Sequence, residues 1–503
     1  MDAPWWKRAV IYQIYPRSFA DWSGDGIGDL AGIREHLDHL TWLGVDGLWL
    51  SPIYPSPMAD FGYDVANYTD IDPVFGSLEG FDDLLAVSHR RALRVLLDWV
   101  PNHTSDRHPW FMASRGSLNN PYRDWYIWRD RPNNWRRAFD DGPAWTRDQR
   151  TGQYYLHLFL PQQPDLNWGN PSVREAMHET LRFWLDRGVD GFRADVVHLI
   201  GKDPALPDDP EPLSSVSRVG FHTDPRTHDW LREIRTVLDG YDGDRAMVGE
   251  INLRDPAAVA AHTGVDQLHL AFNFNLLWAP WDAAAFREAI ATVEAATGGP
   301  NGWPAWVLSN HDTPRHRTRY GGSEARARAA AVVLLTLRGT PFLYAGEELG
   351  LEDAHIPDDA VVDPGGRDPC RAPIPWDDGD RHGWAGDPWL PWPPEPGTRN
   401  AAAQRADTGS TANLYRRLLA RRRADETLQL GALELLDVHS DVLAYDRVGP
   451  DTRRRVLVNF SAHPVRVDAG AWQVGVATDR AREGARFDGA LDPSAAVVLL
   501  PAG

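Results

Sequence analysis

The sequence predicts an α/β fold, a (β/α)8 TIM barrel with an inserted loop-rich domain after strand 3 and a C-terminal antiparallel β domain. Short apolar runs alternate with amphipathic helical stretches, which is the pattern of βα units around a parallel sheet. Eight runs are present, and eight such units close a barrel. A long irregular stretch after the third run and a change to short alternating segments near the C-terminus predict the other two parts.

The predicted strands are the apolar runs 9–14, 47–50, 95–98, 191–195, 246–250, 268–272, 305–309 and 341–344. The helices between them carry clear boundary signals. Asn170 and Pro171 can begin a helix that keeps one apolar face until Gly188. A second apolar pattern over 30–43 predicts a single helix that ends at Gly44.

The chain of 503 residues is too long for one hydrophobic core. We expect a first barrel part at 1–103, an inserted domain at 104–170, a second barrel part at 171–429 and a β domain at 430–503. The insertion is rich in Trp, Pro, Asn, Arg and Tyr and should lie over the barrel mouth. Residues 351–410 are too long for a plain connection, so they predict a lid or wall.

Charge and cysteine content exclude several classes of partner. Lys plus Arg total 52 against 71 for Asp plus Glu, so the net charge of −19 disfavours nucleic acid and anionic lipid. The single Cys370 cannot form an internal disulfide and indicates a reducing compartment. The start of the chain does not follow the pattern of a signal peptide, and no apolar run reaches the length of a membrane span. We therefore expect a cytoplasmic protein without a membrane partner.

Acids follow several predicted strands at their C-terminal ends, where barrel enzymes place their chemistry. Asp98 and His103 follow the third run, Asp195 the fourth, Glu250 the fifth and Asp312 the seventh. A single such acid could form a buried ion pair, for example with an arginine two residues away, but four converging clusters favour a catalytic site. Glycoside hydrolysis requires two carboxyl groups that flank the scissile bond.

These residues resemble the signatures of glycoside hydrolase family 13, the α-amylase family, over essentially the whole chain. The signatures read Asp98-Trp-Val-Pro-Asn-His103, Gly191-Phe-Arg-Ala-Asp195, Gly249-Glu250 and Asn310-His311-Asp312. The run Gln163-Pro-Asp-Leu-Asn167 resembles the α-glucosidase and oligo-1,6-glucosidase subgroup. The resemblance implies exo action on short oligosaccharides or disaccharides.

The resemblance also implies the catalytic roles. Asp195 would be the nucleophile that forms a covalent glucosyl intermediate, Glu250 the acid/base, and Asp312 the third acid that grips hydroxyls of the distorted sugar. Arg193 would keep the Asp195 carboxylate ionised, whereas Glu250 must begin protonated. This chemistry requires no cofactor.

Further substrate contacts are implied residue by residue. Tyr63 matches a stacking tyrosine and Asp64 a glucose-gripping aspartate, while Arg367 matches an arginine that pairs with the same hydroxyls. His103 and His311 would donate to sugar hydroxyls. The predicted substrate-binding set is Tyr63, Asp64, His103, Phe159, Gln163, Arg193, His311 and Arg367.

The segment 21–29 has oxygen-bearing side chains at alternate positions and glycines for the turn, as calcium loops do. The family places a structural calcium ion here, although Ser23 stands where the subgroup usually has Asn. The alternative is a loop of Asx turns without metal. The predicted ligand set is Asp21, Ser23, Asp25, Ile27 and Asp29.

Two other functions stay open. A transglycosylase or isomerase would use the same intermediate, although the arginine-rich loop of sucrose isomerases is not evident between 315 and 350. An inactive scaffold should have lost acids, yet all three are present. Val196 accompanies α-1,6 action in the subgroup, but the following Val197 and His198 depart from its usual run. We expect action on both α-1,4 and α-1,6 short glucosides and little attack on starch; the oligomeric state is open.

Overall fold

A closed barrel of eight parallel strands forms the centre of the computed structural model, which describes residues 3–209, 224–299, 302–363, 365–468 and 470–502. The predicted barrel is therefore confirmed. The strands, numbered here in chain order within the barrel, are β1 (Ile11–Ile14), β2 (Gly47–Leu50), β3 (Arg94–Trp99), β4 (Gly191–Ala194), β5 (Ala246–Gly249), β6 (Leu270–Asn273), β7 (Ala305–Val307) and β8 (Thr340–Tyr344).

The register of neighbouring strands aligns the acid-bearing ends. β4 lies between β3 and β5, and its Arg193 is paired with Asp98 on one side and with Val248 on the other. All three strands are parallel, so the residues that follow them emerge at one edge of the barrel. The interior below this edge is filled by apolar side chains, which include Ile11, Trp49, Leu96, Val248, Phe272, Val307 and Phe342.

Helices surround the barrel. The longer ones are Leu78–Arg90, Pro171–Asp186, Thr227–Asp239, Ala283–Thr297, Glu324–Thr336 and Thr411–Arg423, and the shorter ones include Trp5–Arg8, Pro109–Ser114, Pro256–Ala260, Asn275–Trp278, His316–Arg319, Ala401–Ala406 and Glu426–Leu430. The predicted helix after Asn170 is confirmed. The Asn170 side chain accepts from the backbone N–H of Ser172, and Gly188 follows the helix with φ of +98°.

The prediction of one helix over 30–43 is wrong, because two helices, Leu30–Glu35 and Leu37–Leu43, replace it. His36 lies between them with φ of −101° and ψ of 7°, and its ring packs on Trp376 with 3.8 Å between centroids. This packing against the stretch after β8 outweighs the local helical pattern. Gly44 ends the second helix in the left-handed region, with φ of +97°, as predicted.

The insertion after β3 holds a three-stranded antiparallel sheet of Trp128–Arg129, Tyr154–Leu156 and Trp145–Arg147. Isolated bridges between His103 and Asp165 and between Tyr126 and Leu166 join its two ends. The C-terminal sheet is antiparallel, with Ala432–Leu436, Val442–Val448, Arg453–Asn459, Ala496–Pro501 and Trp472–Ala477 in spatial order, and Val465–Arg466 pairs with Ala490–Leu491 beside it. The insertion and the β domain are confirmed, while their numbered boundaries stay predictions.

None of the helices in the described part of the chain combines the length and the apolar character needed to cross a bilayer.

Candidate active site

One arginine on β4 joins three carboxyl groups at the barrel mouth. Arg193 is 2% exposed, and its Nη1 donates to Asp98 Oδ1 and to Asp195 Oδ1, each at 2.8 Å. Its Nη2 donates to Glu250 Oε2. The three acids therefore surround a single guanidinium group that fixes their positions.

The charge balance of this cluster favours a retained proton. Burial raises the pKa of Asp195, and the carboxylates of Glu250 and Asp98 raise it further, so the opposing effect of Arg193 does not by itself keep Asp195 ionised as the sequence predicted. Burial likewise raises the pKa of Asp98 to about 6, although Arg193 opposes it. Three carboxyl groups around one cation hold a proton more readily than separate ones, which is the condition for one acid and one base to act side by side.

The backbone beyond β4 and β5 places these carboxyl groups. The N–H of Asp195 donates to the carbonyl of Trp99, and the N–H of Glu250 donates to the carbonyl of Ala194, both at 2.8 Å. Val196 follows in the left-handed region with φ of +34°, which is strained for a β-branched residue. Its N–H lies 3.4 Å from Glu250 Oε2, so the strained turn faces the second acid.

Asp312 lies across from this pair and is fixed by two arginines. Arg367 Nη1 and Arg371 Nη2 donate to its Oδ1 at 3.0 and 3.1 Å. Burial alone would raise the pKa of Asp312, but the guanidinium groups of Arg367 and Arg371 oppose it, and the pKa lies below its usual range. The carboxylate therefore stays ionised and can accept from hydroxyl groups.

Tyr63 forms an aromatic face of the site. Its ring stacks on His311 with 5.4 Å between centroids and 10° between planes, and its hydroxyl lies 2.5 Å from His311 Nε2. The hydroxyl also donates to Asp98 Oδ2 at 3.1 Å. Burial lowers the pKa of His311 to about 3, so its ring is neutral. A flat aromatic face suits the apolar face of a pyranose ring.

The structure places Asp64 behind the cavity wall and brings Asp60 to the cavity, so its geometry does not support the predicted contact of Asp64 with the sugar. Asp60 lines the cavity and pairs with Arg367. The carboxylate of Asp64 points into the preceding turn, where it accepts from the backbone N–H groups of Ala59 and Asp60 at 3.0 Å and from Ser56 Oγ at 2.8 Å.

His103 and Phe159 line the cavity, with 5.2 Å between their ring centroids. Gln163 is fully buried behind them, and its Nε2 donates to Asp60 Oδ2 at 2.9 Å and lies 3.1 Å from His103 Nε2. Burial lowers the pKa of His103 to about 4, so this ring is also neutral. Gln163 therefore orients residues that face the cavity.

The cavity has a volume of about 340 Å³, near the lower end of the range for small-ligand sites, about 300–1,000 Å³. Acids and aromatic rings share its wall. The lining includes Asp60, Tyr63, His103, Phe139, Phe159, Asp195, Val196, Glu250, Asn252, Asp312 and Arg367.

Several residues of this wall were not predicted from the sequence. Asn252 donates to Glu250 Oε1 at 3.2 Å, and the Arg367 guanidinium lies 5.0 Å from the Phe139 ring centroid. Arg371 contacts the site through its hydrogen bond to Asp312, and Asp60 through its ion pair with Arg367. The only available signal was proximity in sequence, since Asp60 precedes Tyr63 by three residues and Arg371 follows Arg367 by four.

The predicted calcium loop is closed by its own backbone. Asp21 accepts from the N–H groups of Gly24 and Gly26, and Asp29 accepts from those of Trp22 and Ser23. In the described parts of the chain, no three His, Cys, Asp or Glu side chains come together in an arrangement that could hold a metal ion. The Asp21 and Asp29 carboxylates accept from backbone N–H groups in this arrangement, and calcium binding stays a prediction.

Comparison with known proteins agrees with this geometry. Residues 13–431 match the family model of the α-amylase catalytic domain. A probable α-glucosidase of Rhizobium meliloti strain 1021 is 41% identical over 92% of this chain and 90% of its own. An oligo-1,6-glucosidase of Parageobacillus thermoglucosidasius is 39% identical over 92% of this chain and 91% of its own.

A solved structure extends the likeness to the whole fold. The α-glucosyl transfer enzyme XgtA superposes with a TM-score of 0.92 at 39% identity, covering 100% of both chains. The protein is a member of the α-amylase family of glycoside hydrolases, whose catalytic domain it carries from residue 13 to residue 431.

Proposed function

We propose that the protein is a retaining, exo-acting α-glucosidase that releases glucose from the ends of short oligosaccharides through a covalent intermediate on Asp195. One observation carries this proposal. Asp195 and Glu250 are bridged by the two terminal nitrogens of Arg193 in a cavity of about 340 Å³.

The separation of the two acids supports retention. Retaining glycosidases hold their carboxyl groups about 5 to 5.5 Å apart, whereas inverting enzymes need about 6.5 to 9.5 Å to fit a water molecule. Here both groups bind the same guanidinium group of Arg193. Contact with one guanidinium group keeps the two carboxyl groups close together, which supports the retaining arrangement over the wider inverting one.

The reaction then follows from the two carboxyl groups. Asp195 attacks the anomeric carbon while protonated Glu250 donates its proton to the glycosidic oxygen, so the bond to the leaving sugar breaks as the ester forms. Glu250, now a carboxylate, removes a proton from water as that water attacks the anomeric carbon and frees Asp195. Two inversions at this carbon return the α configuration.

The shape of the cavity supports exo action. Asp60, Arg367 and Asp312 form one connected network at the wall, and Phe139 packs on Arg367 from the insertion. The insertion and the stretch after β8 therefore meet there and limit the space to a short substrate. We infer that this network blocks a long chain that would continue in both directions past the cavity.

Rates on three substrates test the exo proposal. We expect measurable kcat/KM on both maltose and isomaltose. Their ratio should not exceed about 10 to 200-fold, because a single apolar contact, here at Val196, discriminates between substrates by about that factor. Soluble starch should be cut far more slowly. Efficient cleavage inside starch chains would contradict the exo proposal. If Val196→Thr leaves the ratio of kcat/KM for maltose to that for isomaltose unchanged, Val196 does not determine the linkage preference.

A second candidate is α-glucosyl transfer, in which a sugar replaces water in the second step. The similarity to an α-glucosyl transfer enzyme favours it. Product analysis at rising concentrations of maltose, sucrose and trehalose separates the two functions. Glucose as the main product at every concentration supports hydrolysis, whereas oligosaccharides that dominate from the start support transfer.

We also propose a cytoplasmic location. The single cysteine, Cys370, is free and buried, which fits a compartment that keeps thiols reduced.

A further inference from the structure

The turn that carries Asp60 into the cavity has an unusual backbone. Met58 and Phe61, which flank Asp60 in sequence, lie in the left-handed region with φ of 64° and 45°, and Gly62 follows with φ of 109°. Large side chains rarely adopt this conformation, and it persists where surrounding contacts enforce it. The residues that enforce it therefore determine where Asp60 lies.

Asp64 supplies those contacts on the inner side of the turn. Its Oδ1 accepts from the N–H of Asp60 and from Ser56 Oγ, and its Oδ2 accepts from the N–H of Ala59. Ser56 Oγ in turn accepts from the N–H of Met58 at 2.9 Å. One buried carboxylate thus holds, directly or through Ser56, three consecutive N–H groups of the turn.

Asp60 transmits this placement across the cavity. Its carboxylate pairs with Arg367 Nη2 and accepts from Gln163 Nε2, and Arg367 Nη1 pairs with Asp312. Asp60 is 3% exposed and Asp64 is 0% exposed, so neither contact is weakened by bulk water. A chain of four charged groups runs from Asp64 to Asp312.

We propose that Asp64 is a positioning residue, which sets the affinity for the glucosyl unit by fixing Asp60 and, through it, Arg367. This inference rests on the proposed function. Burial raises the pKa of Asp64 to about 6, while its three donors oppose that shift. An amide at this position keeps the volume but turns an N–H group toward one of the donors, so one hydrogen bond of the turn is lost.

A double-mutant cycle tests the proposal. Turnover of 4-nitrophenyl α-glucoside and binding of glucose are measured for the wild type, Asp64→Asn, Asp60→Asn and the double variant, with the melting temperature of each. Asp148→Asn is the matched control, because buried Asp148 also accepts from a backbone N–H and a hydroxyl, both of Thr151, but does not line the cavity. Turnover by the wild type tests the proposed function separately.

We expect Asp64→Asn to raise KM and the dissociation constant of glucose about 10-fold or more, with a smaller effect on kcat, and to add less than about 3-fold in the Asp60→Asn background. Asp148→Asn should leave both constants unchanged. Independent effects that multiply in the double variant would overturn the proposal, as would wild-type constants in Asp64→Asn. If Asp64→Asn does not fold, Ser56→Ala takes its place in the same cycle, with the same criteria.

Discussion

At the scale of single residues, Arg193 organises the chemistry because it binds both of the proposed reacting acids. Asp195 and Glu250 would otherwise repel each other, and each would pay the full cost of burial. The bridge leaves them different partners. Asp195 also lies beside Asp98, whereas Glu250 accepts from Asn252 at 3.2 Å. The proposed mechanism requires that the proton shared by this cluster lies on Glu250 when substrate binds, so that Asp195 attacks as a carboxylate.

Variants of the two acids should respond differently to the leaving group. Asp195→Asn removes the nucleophile, so activity should fall by about 10³-fold or more on both maltose and α-glucosyl fluoride. Glu250→Gln should lower activity on maltose by a similar factor. With α-glucosyl fluoride the rate of the first step should fall far less, because fluoride leaves without being protonated. Melting temperatures near the wild-type value are the control. Equal losses on both substrates in Glu250→Gln would contradict the assignment.

The residue scale also marks the limit of sequence reasoning. The strand-end acids Asp195, Glu250 and Asp312 could be predicted because a strand fixes where its last residues point. Asp64 could not, because its direction depends on a turn with positive φ at bulky residues, which no residue preference indicates. The same turn brings Asp60 to the cavity.

At the scale of elements, the end of β8 carries a buried acid that the proposed mechanism does not use. Glu347 is 2% exposed, and its Oε1 accepts from the Tyr415 hydroxyl at 2.9 Å. Burial raises the pKa of Glu347 to about 8 from an ordinary value of 4.5, and the neighbouring Glu348 adds to the shift. The folded protein therefore keeps a proton here that the unfolded chain releases.

The proton on Glu347 should make the free energy of unfolding depend on pH. Between pH 4.5 and about 8 the folded state binds more protons at Glu347 than the unfolded state, so its contribution to stability falls as pH rises. Glu347→Gln removes the pH dependence that this proton causes. The variant should therefore become more stable than the wild type as pH rises, by up to a few kcal/mol at pH 8, because a shift of one pKa unit corresponds to about 1.4 kcal/mol. Denaturant unfolding at pH 5 and pH 8 measures it. Exposed Glu288→Gln is the control, and a gain that does not grow with pH would contradict the argument.

The loop 21–29 gives a second test at this scale. Calcium binding predicts a melting temperature that falls on chelation and recovers when calcium is added, with a smaller effect on turnover. A loop closed by backbone amides alone predicts a curve that responds to neither. Asp25→Asn is the variant to compare with the wild type, because Asp25 is a predicted calcium ligand whose carboxylate accepts from the N–H of Ile27 within the loop. If calcium binds, the melting temperature of this variant should respond less to calcium than that of the wild type. A wild-type curve unchanged by chelator and by calcium would contradict the calcium prediction.

Elements differed in how well the sequence predicted them. The barrel strands could be placed because apolar runs bounded by polar residues admit few alternatives. The break at His36 could not, because it depends on packing against Trp376, which is 340 residues away in sequence. Contacts of such long range leave no periodic signal in the segment that they reshape.

At the scale of the whole molecule, three parts of the chain build one cavity. The barrel supplies Asp195, Glu250 and Asp312, the insertion supplies Phe139 and Phe159, and the stretch after β8 supplies Arg367. The parts other than the barrel determine how much substrate the cavity admits. This division explains why the reaction class can be predicted from strand ends, while substrate choice depends on irregular segments.

The configuration of the first product tests the central claim, a two-step reaction through Asp195, most directly. Proton NMR can follow the anomeric signals of glucose released from 4-nitrophenyl α-glucoside, whose leaving group is not a sugar, before mutarotation mixes them, with high enzyme concentration and short times. We predict α-glucose first, because the attack by Asp195 and the attack by water each invert the anomeric carbon. The appearance of β-glucose first would contradict it.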